Sequence, residues 1–122
     1  MSKLSWLAVL GVFVLVNGAS ATNAQDPAVV NAQNLKVTLD NPHGRVMEAT
    51  LNPGDKEQMH SHPSYVVYVI AGGRVRNHGA DGTTSESTFT PGQTIYRDPV
   101  THWSENIGTT TIKTLVIELK PQ

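Results

Sequence analysis

The chain has 122 residues, 39% of them hydrophobic, which suits one small core and is too short for two. A formal net charge of −1 and the lack of any basic cluster exclude the concentrated Lys/Arg face of a nucleic-acid binder. There is no cysteine, so disulfides, thiolate metal ligands and a cysteine nucleophile are excluded, and histidines and carboxylates are the candidate ligands left.

In chain order, Lys3 gives a short positive start and residues 4–16 are almost continuously apolar. Asn17-Gly18 and the small-x-small signature Ala19-Ser20-Ala21 follow. An apolar run of that length is short for a bilayer and fits a secretory signal peptide over residues 1–21, cleaved before Thr22. Cleavage after Ala24 and an uncleaved membrane anchor are the alternatives. With no cysteine after the small residues, a lipidated N-terminus is not expected. The expected mature protein is exported, periplasmic or secreted, and mildly acidic once Lys3 is lost.

Residues 22–33 read as a polar lead-in with little periodicity. Beyond it, over residues 34–120, short strand-like runs alternate with turn residues, the pattern of an all-β barrel or sandwich. Leu35 to Leu39 alternates, Asp40 to Gly44 is a turn by composition, and Arg45 to Leu51 alternates again before Asn52-Pro53-Gly54-Asp55. Tyr65 to Ala71 is a buried-type apolar run broken by Gly72-Gly73. Gly73 to Asn77 continues as a strand, and His78 to Gly82 turns back. Thr84 to Thr90 is a polar strand, Pro91-Gly92 a turn, and Gln93 to Arg97 a further strand. His102 to Asn106 and Thr110 to Lys120 complete the set. No segment carries a helical apolar period long enough for a core helix.

The most informative residues are His60-Ser61-His62 and, forty residues on, His102. Successive side chains on a strand point to opposite faces, so His60 and His62 share one. A third imidazole from a distant strand completes a three-nitrogen facial set suited to one divalent Fe, Zn, Mn, Ni or Cu ion, with other positions left open. The plainer reading is a polar His-Ser-His beside a turn.

Context favours the site. Gly54 stands six positions before His60, and the run Val66 to Ile70 ends at Gly72-Gly73. This resembles the first motif of the cupin superfamily, a glycine, five residues, His-x-His, then a glutamate and a closing glycine. The segment from Pro91-Gly92-Gln93 to His102 and Asn106 resembles the second motif, although Arg97-Asp98-Pro99 stands where Pro-x-Gly is usual. The resemblance implies an antiparallel jelly-roll (double-stranded β-helix) barrel. It also implies a metal site at His60, His62 and His102. The motif's glutamate has no counterpart. A gap-free match puts Val66 there, and a one-residue shift puts Tyr65 there. The site then resembles the all-histidine iron centres of some cupin thiol and diketone dioxygenases, unless it has lost its metal altogether.

Strand parity adds further expectations. Ser104 and Asn106 should share the face of His102, with Trp103 and Glu105 on the other. If Pro63 introduces no bulge, the parity of His60 and His62 carries to Val66, Tyr68 and Ile70, which makes Tyr68 a candidate pocket residue and Val66→Glu a way to restore the carboxylate. His43 and His78 read as turn histidines, Glu48 as a solvated strand residue or a substitute carboxylate, and Glu105 as a poor ligand. Arg97 and Asp98 sit at the mouth, as an anion site or an exposed ion pair. An outward Trp103, together with uncovered strand edges, suggests a homodimer. Three functions fit. One is a metal-dependent dioxygenase acting on a small organic molecule, another a metal-dependent isomerase or lyase, and the third a non-enzymatic small-ligand-binding module.

Overall fold

The computed structural model describes residues 25–122, so the expected leader, its cleavage points and residues 22–24 lie outside the described residues. The first element is a single helical turn, α1 (Pro27–Val30). Asp26 caps it by accepting from the Ala28 N–H at 2.9 Å, and Pro27 at the first helical position has the φ a helix needs. The lead-in therefore holds structure that its polar composition did not suggest.

Nine strands follow: β1 (Leu35–Asn41), β2 (Gly44–Leu51), β3 (His60–His62), β4 (Tyr65–Ala71), β5 (Gly73–Gly79), β6 (Thr84–Phe89), β7 (Thr94–Arg97), β8 (Val100–Asn106) and β9 (Ile112–Leu119). They form two antiparallel sheets, β1-β2-β9-β4-β7 and β3-β8-β5-β6. The expected jelly-roll architecture is what the chain adopts. The turns follow from their residues. Between β6 and β7, the Gln93 N–H donates to the Thr90 carbonyl at 3.0 Å, with Pro91 and Gly92 at the centre. Gly92 has φ +84°, the left-handed value that a type II turn demands at that place. Gly72 answers to a different constraint, because a Cβ there would meet the Phe89 carbonyl oxygen at 2.2 Å.

The core lies between the sheets. Leu35, Met47, Tyr65, Val67 and Val116 pack into one cluster and Leu51, Val75 and Ile112 into another. Met47, Val69 and Val75 are almost wholly removed from water.

One break in parity decides which side chains face the barrel interior. β3 ends at His62, the chain bends at Pro63-Ser64, and β4 restarts with Tyr65, Val67 and Val69 inward. Val66, Tyr68 and Ile70 therefore point outward, against the parity carried over from the histidines. Proline at the junction removes a ladder donor and lets the pairing reset, as its presence warned. On the outer face, Leu39, Val46, Ile117, Val66 and Tyr96 stand in register across all five strands of the larger sheet, an apolar row with Tyr96 59% exposed.

Candidate metal centre

The pairing of β3 with β8 builds the site. His60 lies directly opposite His102, and His62, two residue pairs along, lies opposite Val100 on the same face. Cross-strand neighbours at such a pair are close enough for their rings to meet. The ring centroids of His60 and His62 are 4.8 Å apart, those of His60 and His102 4.8 Å, and those of His62 and His102 5.4 Å. Their ligand nitrogens all lie within 4.8 Å of one another. Nitrogens about 2.1 Å from one ion at a tetrahedral angle stand about 3.4 Å apart, so the rings need to draw in by roughly an ångström around an ion.

Two of the rings are already set for ligation. His60 Nδ1 donates to the Gln58 carbonyl at 2.7 Å, and His62 Nδ1 donates to Glu118 Oε2 at 2.7 Å. A carbonyl and a carboxylate only accept, so in both rings Nδ1 carries the proton and Nε2 keeps its lone pair. Metal-ligating histidines are oriented in this way. His60 and His102 also stay neutral. Burial, followed by the charge of neighbouring groups, holds His102 at about 3, and burial outweighs the Gln58 bond to hold His60 at about 4. A neutral imidazole is the form that binds a metal, so the donor set fits a divalent transition ion.

The three rings open into a cavity of about 550 Å³ within the barrel. Its wall mixes apolar residues, Leu51, Val75, Phe89 and Ile112 among them, with polar ones such as Asn77 and Ser104, and Arg97 and Asp98 stand exposed at its rim. Glu57 also lines it, one oxygen accepting from the Ser104 N–H at 3.0 Å. Burial lifts the Glu57 carboxyl to about 7, so it can hold or release a proton near neutrality. Tyr65 stacks on His62 with centroids 4.3 Å apart, and burial pushes its hydroxyl up to about 12.

No family model and no curated protein matches the sequence. Solved structures do. A cupin domain from Bordetella pertussis superposes with a TM-score of 0.66 at 28% identity, covering 71% of this chain and 92% of that one. This chain is a cupin. The fold is shared more distantly with a cupin family protein of double-stranded β-helix fold from Methanocaldococcus jannaschii (TM-score 0.59, 15% identity, 70% of this chain and 78% of that one). A cupin-like protein from Thermotoga maritima is similar at a TM-score of 0.56 and 17% identity, over 70% of this chain and 67% of that one.

Several residues of this cupin lie where the sequence placed them, and others do not. The structure brings His60, His62 and His102 together as expected. Ser104 and Asn106 are buried on the inner face, and the solvated alternative for Glu48 holds. Tyr68 is 41% exposed on the outer face and is no pocket residue. Val66 points outward too, so of the two alignments of the cupin glutamate the one that selects Tyr65 has the right face. His43 sits exposed in its turn, with Nδ1 3.0 Å from Gln122 Oε1. His78 is not a hairpin residue. It lies within β5, stacked on Trp103 at 3.7 Å, with Nε2 2.9 Å from Glu105. Trp103 is consequently half-buried rather than open, and Glu105, which also pairs with Arg76, is committed away from the metal centre. Residues missed in the sequence are Asn31, Arg45, Glu57 and Glu118. Glu118 had a signal, an acid within the apolar run Thr114 to Leu119, but the apolar neighbours on both faces hid its parity.

Proposed function

We propose that this cupin is an exported enzyme with one divalent transition-metal ion at His60, His62 and His102, acting as a dioxygenase on a small organic molecule. The observation that carries the reading is the convergence of three imidazoles, His60 and His102 held neutral by burial, on the wall of a cavity large enough for such a substrate. With three protein ligands, the ion would keep open positions facing the cavity and supply activation of O₂ and substrate there. The protein's own share is to hold His60 and His102 neutral and to seat the apolar part of the substrate against Leu51, Phe89 and Ile112. Arg97 at the rim favours an acidic substrate. Glu57 supports a second reading, a metal-dependent isomerase or lyase, because a carboxyl titrating at about 7 inside the cavity suits proton transfer.

The test is metal analysis of protein purified from the exporting cell, followed by loading with each candidate ion and screening for oxygen uptake on small acids, thiols and diketones. Oxygen consumption dependent on the ion and on His102 supports the dioxygenase. Turnover of substrate without oxygen uptake favours the isomerase or lyase. A chain that retains no ion, yet binds a small molecule in the cavity, is a binding module.

Export rests on Lys3, the apolar run and Ala19-Ser20-Ala21. A homodimer is supported by the outer row of Leu39, Val66 and Tyr96, which a second copy would cover. Intact mass of the exported protein should show loss of the first 21 residues, and light scattering should give twice the mature mass. Met1 retained in a membrane fraction, or a monomer at working concentration, would contradict the respective proposal.

A further inference from the structure

Two of the three histidines are anchored, by separate routes, to the same short segment outside the barrel. The segment Gln25–Asn31, which carries α1, runs behind β3. Its Gln25 carbonyl accepts from the Ser61 N–H at 2.8 Å, and Gln25 Oε1 accepts from Ser61 Oγ at 2.7 Å. At its far end Asn31 is wholly buried. Asn31 Oδ1 accepts from the Gln58 N–H at 2.6 Å and its Nδ2 donates to the Gln58 carbonyl at 3.2 Å, the same carbonyl that receives the His60 proton. At its near end Asp26 accepts from both terminal guanidinium nitrogens of Arg45, at 3.0 and 2.9 Å. Arg45 Nε in turn donates to Glu118 Oε1 at 2.9 Å, and Glu118 Oε2 holds His62. A planar guanidinium bound to two carboxylates fixes both.

We infer that Gln25–Asn31 is a strap that sets the tautomer and orientation of His60 and His62. Asp26 acts through Arg45 and Glu118, and Asn31 through Gln58 and through its own Nδ2, which lies 3.1 Å from His60 Nδ1. The inference rests on the metal-centre reading for its purpose, while the ring geometry it explains is present without an ion. A free neutral imidazole divides between two tautomers, and the wrong one would aim an N–H at the position where a lone pair is required. The strap removes that choice for both rings. It also supplies charge. Asp26, Arg45 and Glu118 together carry one net negative charge beside His62, so the anion missing from the ligand positions is replaced one bond further out. Asp26 and Asn31 are positioning residues, since neither touches the cavity.

Two measurements decide it, on the full mature protein. Imidazole nitrogen NMR of the metal-free protein should show both His60 and His62 as Nδ1–H tautomers. Asn31→Ala should mix the tautomers of His60 and spare His62, and Asp26→Asn should disturb His62 and spare His60. The undisturbed ring in each case shows that the fold has survived. Zinc titration against a competing chelator should then show each variant binding roughly 10- to 100-fold more weakly. Asp26→Glu should recover part of the loss, and Val29→Ala, on the exposed side of the same turn, should change neither readout. Wild-type tautomers at both rings in both variants would overturn the strap. If the unaltered protein binds no zinc or other divalent ion, the metal-centre proposal fails, and the tautomer result still decides the strap.

Discussion

Changing His102 to Ala should cost more than about 100-fold in affinity for the bound ion, beyond the range seen when only a partner of a ligand is lost. His60 and His62 lie on one three-residue strand, and by themselves they offer two cis positions around an ion. His102 is the contribution of the second motif, brought opposite His60 by the β3–β8 pairing. Because it is only half-buried on the cavity wall, its truncation should leave the barrel folded. Tyr65→Glu should act the other way. Tyr65 faces the site from β4, and a carboxylate reaching the place of its ring would sit beside His62. The metal-free variant should be less stable, because a buried carboxylate lacks a partner there, and the loaded variant should bind its ion at least about tenfold more tightly than wild type. Val66→Glu should do nothing for affinity, since Val66 faces outward. Chelator competition and metal content by mass spectrometry read all three. Equal retention in His102→Ala and wild type would place the ion elsewhere.

The second large effect is acid sensitivity of the metal-free protein. His60 titrates at about 4 and His102 at about 3 when folded, both well below the 6.5 of a free histidine. Below pH 6.5 the unfolded chain therefore binds protons that the folded chain refuses, and stability falls as pH falls. Glu57 works in the opposite direction. It is lifted from 4.5 to about 7, so between those values the folded state holds a proton that the unfolded state has released. From pH 6.5 to 4.5 two histidines oppose one carboxyl, and the net loss is on the order of 1.4 kcal/mol for each pH unit. Below 4.5 Glu57 is protonated in both states and the decline steepens until the histidines charge. Stability should thus peak near pH 6.5 and decline slightly as Glu57 ionises above it. Urea unfolding of the metal-free protein across pH 4 to 8 gives this profile directly. Glu57→Gln should remove the alkaline decline and steepen the acid limb. A loaded protein should gain stability at neutral pH and lose that gain on acidification, as protons compete for the ring nitrogens. A flat profile for the metal-free protein would mean that the rings are solvated rather than buried.

The strand order of events along the chain was legible from residue types alone. Turn clusters such as Asn52-Pro53-Gly54-Asp55 and Thr90-Pro91-Gly92-Gln93 fall between the observed strands, because glycine and proline dictate backbone angles locally. The histidine set was legible for a similar reason: His60 and His62 are two apart on one strand, and the spacing to His102 follows the motif. What the sequence could not decide was facing. On β4 and β9 both faces are apolar: Val66, Leu115 and Ile117 outward against Val67, Val69 and Val116 inward. Alternation then carries no sign, and only the pairing β2-β9-β4 and the bend at Pro63-Ser64 assign Tyr65 to the interior and Tyr68 to the exterior. Nor could it reveal the groups that hold the rings. Glu118 is 56 positions from His62, Arg45 is 73 from Glu118, and Asn31 is 27 from Gln58. Those contacts exist because two sheets close over one another and a lead-in of polar composition folds back against β3, and no local pattern of residues encodes a hydrogen bond between segments that far apart.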